Sequence, residues 1–312
     1  MPTHSLEGVV VALATPFREE NTERIDFTAW QRLIDVLIAA GVDGLFVNGS
    51  TGEFYALDAE ERQVALRFCR QAAAGRVPVY CNVGSITTRE TVRLANQAEC
   101  EGADVLAVVT PYYIRPSAEE LAAHYTEVCR AVRTPVLAYN FPQHGGSVLE
   151  AQTVAQVASR CENLAGVKDS SGRLEQAIAY RDAAPEGRPL AVFVGPEHLM
   201  LPALSNGCAG VVSGCANAAP RLFVELYRAF QEGRLEEAAR LQTLASELGA
   251  AMGAHTFPSA IKEGMRMAGL PAGPCREPVG ALPPEARTIL AGVMARLERE
   301  GLLPKTRTSV TV

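Results

Sequence analysis

At 312 residues, 48% hydrophobic and 21% charged, the chain has enough apolar mass for a sizeable core, in one large domain or two ordinary ones. A net charge of −6 with no long basic run argues against a nucleic-acid partner, and apolar runs far shorter than ~18 residues argue against a membrane span. Met1–Glu7 has no basic stretch followed by a long apolar one, so no secretory leader and a cytoplasmic location are expected.

Short apolar runs alternate with longer amphipathic ones. Strands are predicted at 8–13, 43–48, 77–83, 103–109, 135–139, 163–168, 190–194 and 209–213. Helices are predicted between and after them, at 26–40, 58–74, 88–101, 117–131, 150–160, 173–183, 196–206 and 217–232. Roughly 25 to 35 residues per unit is the spacing of repeated βα units. The strands are near-continuous apolar runs, as in a parallel sheet covered on both faces. Eight such units predict a (β/α)8 TIM barrel over residues 1–232. An open doubly wound sheet is the alternative, but no G-x-G-x-x-G follows the first strand. Further helices are predicted at 234–253, 257–268 and 284–300. With no linker rich in Pro, Gly or Ser before them, residues 233–312 read as a C-terminal helical region packed on the barrel.

The eight cysteines fall inside these periodic segments, Cys69, Cys100 and Cys129 on helices and Cys81 on a strand. There is no CxxC pair, and the five histidines are scattered. Reduced, packed thiols and no metal site are expected.

In a barrel of this kind the carboxyl ends of the strands form the active site. The second strand ends in Asn48-Gly49-Ser50-Thr51-Gly52-Glu53 and the fourth in Thr110-Pro111-Tyr112-Tyr113. The fifth ends in Tyr139-Asn140-Phe141-Pro142, the sixth in Lys168, the seventh in Gly195 and the eighth in Ser213-Gly214. Hydroxyls, glycines and one amine therefore converge on one rim. Only three of the 29 basic residues are lysines, Lys168, Lys262 and Lys305. An amine can lose its proton and form an imine with a ketone, which arginine cannot do. Burial at the end of an apolar strand disfavours a charged form. On spacing alone, Lys168 can equally snorkel to solvent from the strand end. Tyr139 can shuttle protons or simply pack with its hydroxyl satisfied. The Gly49–Glu53 turn can cradle a carboxylate with backbone N–H groups and the Ser50 and Thr51 hydroxyls, or be an ordinary strand-to-helix turn.

Taken together, ATPF at 14–17, GSTGE at 49–53, TPYY at 110–113, YNFP at 139–142, GVKDSSG at 166–172 and GVVSGCAN at 210–217 closely resemble one family. It is the dihydrodipicolinate synthase and N-acetylneuraminate lyase superfamily of class I aldolases. FPSAIKEGMRMAGLPAGPCREP at 257–278 extends the match over nearly the whole chain. The resemblance implies a TIM barrel assembled as a homotetramer, a dimer of dimers. It implies Lys168 as the Schiff-base former with pyruvate or another 2-oxo acid, and Tyr139 as the catalytic hydroxyl. Ser50 and Thr51 become carboxylate-binding and proton-relay groups, beside Gly49. Tyr113 matches a tyrosine lent by a neighbouring subunit, and Gly195 and Val212 match positions lining the pyruvate pocket. No organic cofactor is implied.

Which member it resembles turns on the residues beyond the pyruvate end. Dihydrodipicolinate synthases carry an arginine two residues after the proline of the tyrosine motif, and here that residue is His144. A largely neutral imidazole offers no bidentate fork for a carboxylate. Sialic-acid lyases place an Asp-Glu pair after the glycine of strand seven, whereas here Gly195 is followed by Pro196-Glu197-His198. The pattern looks most like the aldolases of 2-keto-3-deoxy sugar acids such as 2-keto-3-deoxygluconate. On that reading His144 and Glu197 meet substrate hydroxyls; both are otherwise solvated loop residues. The expected reaction is reversible cleavage to pyruvate and an aldehyde. A dehydratase of the same acids is the alternative, then 4-hydroxy-tetrahydrodipicolinate synthase, and outside enzymes a silent barrel that only binds a 2-oxo acid.

Overall fold

A computed structural model describes residues 5–304. Met1–His4, where the segment read for a leader begins, and Lys305, one of the three lysines, lie outside the described residues. Eight parallel strands close into a barrel: β1 (Gly8–Ala12), β2 (Gly44–Val47), β3 (Val79–Asn82), β4 (Val105–Val109), β5 (Val136–Asn140), β6 (Leu164–Asp169), β7 (Ala191–Val194) and β8 (Gly210–Ser213). Each pairs with its sequence neighbours, and β1 closes the ring against both β2 and β8. This is the (β/α)8 TIM barrel that the periodicity predicts.

The strands are buried because each serves two cores. Val10, Phe46, Tyr80, Val105, Ala107 and Leu137 fill the barrel interior. The alternate residues Val9, Val11, Leu45, Val47, Val79 and Leu106 face outward into a layer completed by the apolar stripes of the helices. The helices begin where short polar side chains cap them. Asp26, Asp58, Thr87 and Ser117 each accept a backbone N–H in the first turn. Asp58 with Glu61, and Ser117 with Glu120, form reciprocal capping boxes.

Three features depart from the sequence expectation. A hairpin of Phe17–Arg18 and Asn21–Ile25 follows β1. Its second strand is mostly exposed and polar, so it has no apolar run to announce it. The predicted helix at 196–206 is a 3-10 turn, Glu197–Leu199, running into a short α-helix, Met200–Ser205. The helix predicted from 217 starts at Pro220, whose missing N–H suits the first helical position. All eight cysteines are free thiols.

Beyond the barrel, three helices follow among the described residues, Leu235–Gly253, Ser259–Met267 and Pro284–Arg299. The first packs along Pro220–Gln231 and over the turn after β7, where Gln242 Nε2 donates to the Glu197 carbonyl (2.9 Å) and Gln242 Oε1 accepts from Leu201 N–H (2.7 Å). Among the described residues no helix is long and apolar enough to cross a membrane.

The seam between β8 and β1 is tied at its carboxyl end by Asn217. Its Oδ1 accepts from Ala14 N–H (3.0 Å), and its Nδ2 donates to the Ala12 (2.7 Å) and Gly214 (2.8 Å) carbonyls. The side chain is fully buried. Asn217→Ala strands these backbone groups away from water and should cost about 2–4 kcal/mol, read as a lower urea midpoint at unchanged slope. A loss below about 1 kcal/mol would show the tie to be dispensable.

Candidate active site

Six strand ends and the C-terminal helices enclose a cavity of about 160 Å³ at the carboxyl end of the barrel. Lys168, near the end of β6, reaches into it and is only 4% exposed. Its Nζ lies 4.1 Å from the Tyr139 ring centroid and 4.5 Å from that of Phe46. Among the described residues it has no carboxylate partner and no hydrogen bond. Register explains the first ring: Tyr139 on β5 and Lys168 on β6 are direct partners in the sheet. Phe46 comes from β2, edge-on to Tyr139 at 6.3 Å, and Phe141 stacks on Tyr139 at 5.9 Å. The other described lysine, Lys262, is equally buried but sits 2.5 Å from Glu53 Oε1. Of the two, only Lys168 is a buried amine left free toward a cavity.

Ser50 and Thr51 form a second wall. The turn that carries them is held by Gly52 N–H to the Gly49 carbonyl (3.0 Å), Glu53 N–H to the Ser50 carbonyl (3.1 Å) and the Thr15 hydroxyl to the Gly52 carbonyl (2.8 Å). Asn48 and Glu53 at its ends have φ of +57° and +56°, a left-handed conformation that costs a non-glycine residue energy. Gly195 lies on the opposite wall, where any Cβ would fall 2.2 Å from Ser170 Oγ. Val212 contributes the floor from β8.

Glu197 is the second charged residue on the wall, and Lys168 is the first. Glu197 Oε1 accepts from the Ser213 hydroxyl (2.9 Å) and Cys215 N–H (3.3 Å). Its Oε2 takes no hydrogen bond from the described residues.

The remaining residues singled out in the sequence stand elsewhere. Gly49 lies behind the wall, where a Cβ would meet the Phe46 ring at 2.9 Å. His144 is exposed at the rim, its ring 4.3 Å from Phe141 and 6.5 Å from Phe257. Desolvation holds its pKa below the ordinary 6.5, so it supplies no cation at neutral pH. Tyr113 is 94% exposed, has φ +72° and does not reach this cavity. Conversely, Gly249, Met252, Gly253, Phe257 and Ile261 line the cavity, and sequence reasoning did not single them out as site residues. Gly249 and Gly253, four apart on one helix, left a side-chain-free stripe as a readable signal.

Residues 5–296 match the model of the dihydrodipicolinate synthetase family. The chain belongs to that family. It is 33% identical over 300 residues to a 4-hydroxy-tetrahydrodipicolinate synthase of Methanopyrus kandleri, covering 96% of this chain and 98% of the relative. It is 36% identical over 307 residues to an uncharacterized DapA-like lyase of Halobacterium salinarum, covering 95% and 99%. The prophage protein YagE of E. coli K12, solved in complex with pyruvate, superposes with a TM-score of 0.88 at 30% identity, covering 95% of this chain and 99% of YagE. As a family member the chain is a pyruvate-dependent lyase of the class I aldolase type.

In this dihydrodipicolinate synthetase family member, the residue after Lys168 anchors the β5 and β6 ends. Asp169 Oδ1 accepts from Asn140 Nδ2 (2.7 Å), and its Oδ2 accepts from the Ser171 hydroxyl (2.7 Å). Asn140 Oδ1 in turn accepts from Leu149 N–H (3.0 Å). Burial raises the Asp169 carboxyl above its ordinary 3.8, and the hydrogen bonds from Ser171 and Asn140 only partly offset this. The unfolded chain therefore releases this proton near 3.8 and the folded chain at a higher pH. Stability from the group is full below 3.8 and falls as pH rises through the raised value. Asp169→Asn abolishes the titration and keeps an acceptor for Asn140. Its Tm relative to the wild type should rise as pH goes from 3.8 toward neutral, measured by calorimetry in matched buffers. A difference that stays constant over that range would contradict the assignment.

Proposed function

We propose that the chain cleaves a 2-keto-3-deoxy sugar acid reversibly to pyruvate and an aldehyde through an imine on Lys168. The observation that carries the reading is a buried amine with no acidic partner among the described residues, facing a cavity beside a tyrosine. The Lys168 amine adds to C2 of the substrate, and water leaves as the imine forms. Tyr139 takes the C4 hydroxyl proton, with Thr51 and Ser50 as the relay and carboxylate-binding groups. The C3–C4 bond then breaks, its electrons pass into the protonated imine as an enamine, and the aldehyde departs. Protonation at C3 and addition of water release pyruvate and free amine.

The wall beyond Lys168 supports an uncharged, hydroxylated aldehyde. Among the described residues its one further charged side chain is Glu197, whose Oε2, without a hydrogen bond from those residues, would accept from hydroxyls and repel a carboxylate. His144 offers no guanidinium fork at the rim. A dehydratase would use the same imine to lose a C3 proton and expel a hydroxyl. The name of the Methanopyrus kandleri relative favours a second reading, condensation of pyruvate with aspartate semialdehyde as a 4-hydroxy-tetrahydrodipicolinate synthase. Tyr113, exposed and remote from its own cavity, fits a residue lent to a partner in a homotetramer, which light scattering tests.

Borohydride reduction with pyruvate should add one reduced pyruvyl group to the wild type, located on Lys168 by peptide mass spectrometry, and none to Lys168→Met. Wild-type protein without an adduct would sink the imine reading. Tyr139→Phe should lower kcat by about 10²–10⁴-fold. Glu197→Gln should raise KM for a 2-keto-3-deoxy sugar acid about tenfold while leaving adduct formation with pyruvate unchanged. A panel assay for pyruvate release, water loss and semialdehyde condensation separates the three reactions. Faster turnover of the semialdehyde than of every sugar acid would reverse the ranking.

A further inference from the structure

Behind the Ser50–Thr51 wall lies a buried charge contact, outside the cavity. Glu53 and Lys262 are 0% and 1% exposed, with Nζ 2.5 Å from Oε1. The approach is a charge contact rather than an aligned hydrogen bond. Lys262 Nζ also donates to the Pro274 carbonyl (2.8 Å) and stands 4.4 Å from the Phe17 ring centroid. Glu53 Oε2 accepts from Arg276 N–H (2.9 Å). The carboxylate thus draws together the turn after β2 and two separate segments of the C-terminal region.

The location is informative. Glu53 closes the hydroxyl-bearing turn, and its own N–H holds the Ser50 carbonyl (3.1 Å). Its backbone is left-handed at φ +56°, which a residue with a side chain keeps only when something holds it there. Lys262 follows Ile261, which lines the cavity. An alanine methyl at Gly214 would meet Ile261 Cδ1 at 2.8 Å and Thr51 Oγ1 at 3.1 Å, so the two sides of the clamp converge on one spot of the wall. A buried ion pair is a poor stabiliser compared with packed apolar side chains, which makes stability alone a weak reason for one here.

We propose that the Glu53–Lys262 pair positions the Ser50 and Thr51 hydroxyls to receive the carboxylate of pyruvate. This rests on the Lys168 imine reading. Glu53 and Lys262 are positioning residues: they act through the turn and touch no substrate.

The test compares Glu53→Asp, Lys262→Met and the double variant Glu53→Gln/Lys262→Met with wild type. Each is read by Tm and by the pyruvate concentration that half-saturates borohydride trapping, well below Tm. Glu53→Asp keeps the charge and shortens its reach, so it tests position with the least risk to folding. Half-saturation should rise about tenfold in Glu53→Asp and Lys262→Met, while the adduct formed at saturating pyruvate stays complete. The double variant, which leaves no charge buried alone, should recover Tm over Lys262→Met and still require the higher pyruvate. Recovery of Tm and pyruvate affinity together, or a folded Glu53→Asp with wild-type half-saturation, would reduce the pair to a structural element and overturn the proposal. A wild type that forms no adduct removes the imine reading and this inference with it, whereas normal wild-type trapping with unshifted variants removes this inference alone.

Discussion

A lysine amine enclosed by two aromatic rings, with no acid paired to it among the described residues, is the constraint around which the rest of the molecule is arranged. Buried amines are ordinarily matched by a carboxylate, because leaving one alone in a low-dielectric setting is costly. Lys262 obeys that rule in full and Lys168 does not. The aromatic faces of Tyr139 and Phe46 offer some compensation through their negative quadrupoles, much less than an acid would. Only a stiff surround keeps such a group in place. The barrel provides it, since Lys168 belongs to a strand hydrogen-bonded on both sides and Asp169 ties the next residue to Asn140 across the sheet.

The surround has two bodies rather than one. Strands β2, β5, β6, β7 and β8 set the amine, the tyrosine and the small-residue walls. The helices after the barrel close the other side, with Gly249 and Gly253 keeping that side free of bulk and Met252, Phe257 and Ile261 making it apolar. Gln242, bonded both to the Glu197 carbonyl and to Leu201 N–H, fixes the angle at which the first of these helices meets the turn after β7. The C-terminal region is therefore part of the cavity wall, beyond being a cap on the fold.

Much of the fold was legible because the barrel strands obey a simple rule. A strand buried on both faces must be apolar throughout, and eight such runs at regular spacing admit few architectures. The hairpin at Phe17–Ile25 escaped because it obeys the opposite rule. Asn21, Glu23 and Arg24 are exposed and Thr22 is half-buried, so nothing in their polarity separates them from a loop. The register of Arg276 was equally hidden. Its guanidinium is satisfied by Glu61 and by the Thr22, Glu23 and Ala56 carbonyls, partners more than 200 residues away that no local pattern records.

The two ends of the cavity differ in legibility for a related reason. The amine end is written at strand termini, where a residue's place follows from its strand alone; Lys168, Tyr139, Ser50, Thr51, Gly195 and Val212 all reach the wall. The far end is assembled from loops and from a helix that returns over the barrel, so a residue's place depends on how that helix docks. His144 shows the consequence: two residues beyond Pro142 along the chain, it is carried to the rim by the short helix Pro142–Gly145 and turned against Phe141. Glu197 shows the converse. One oxygen is held by Ser213 and Cys215 at the end of β8, which converts a loop carboxylate into an acceptor with a fixed direction. Substrate choice in this architecture therefore rests on which loop residues borrow rigidity from a strand. Among the described residues on the wall, Glu197 is the charged one that does.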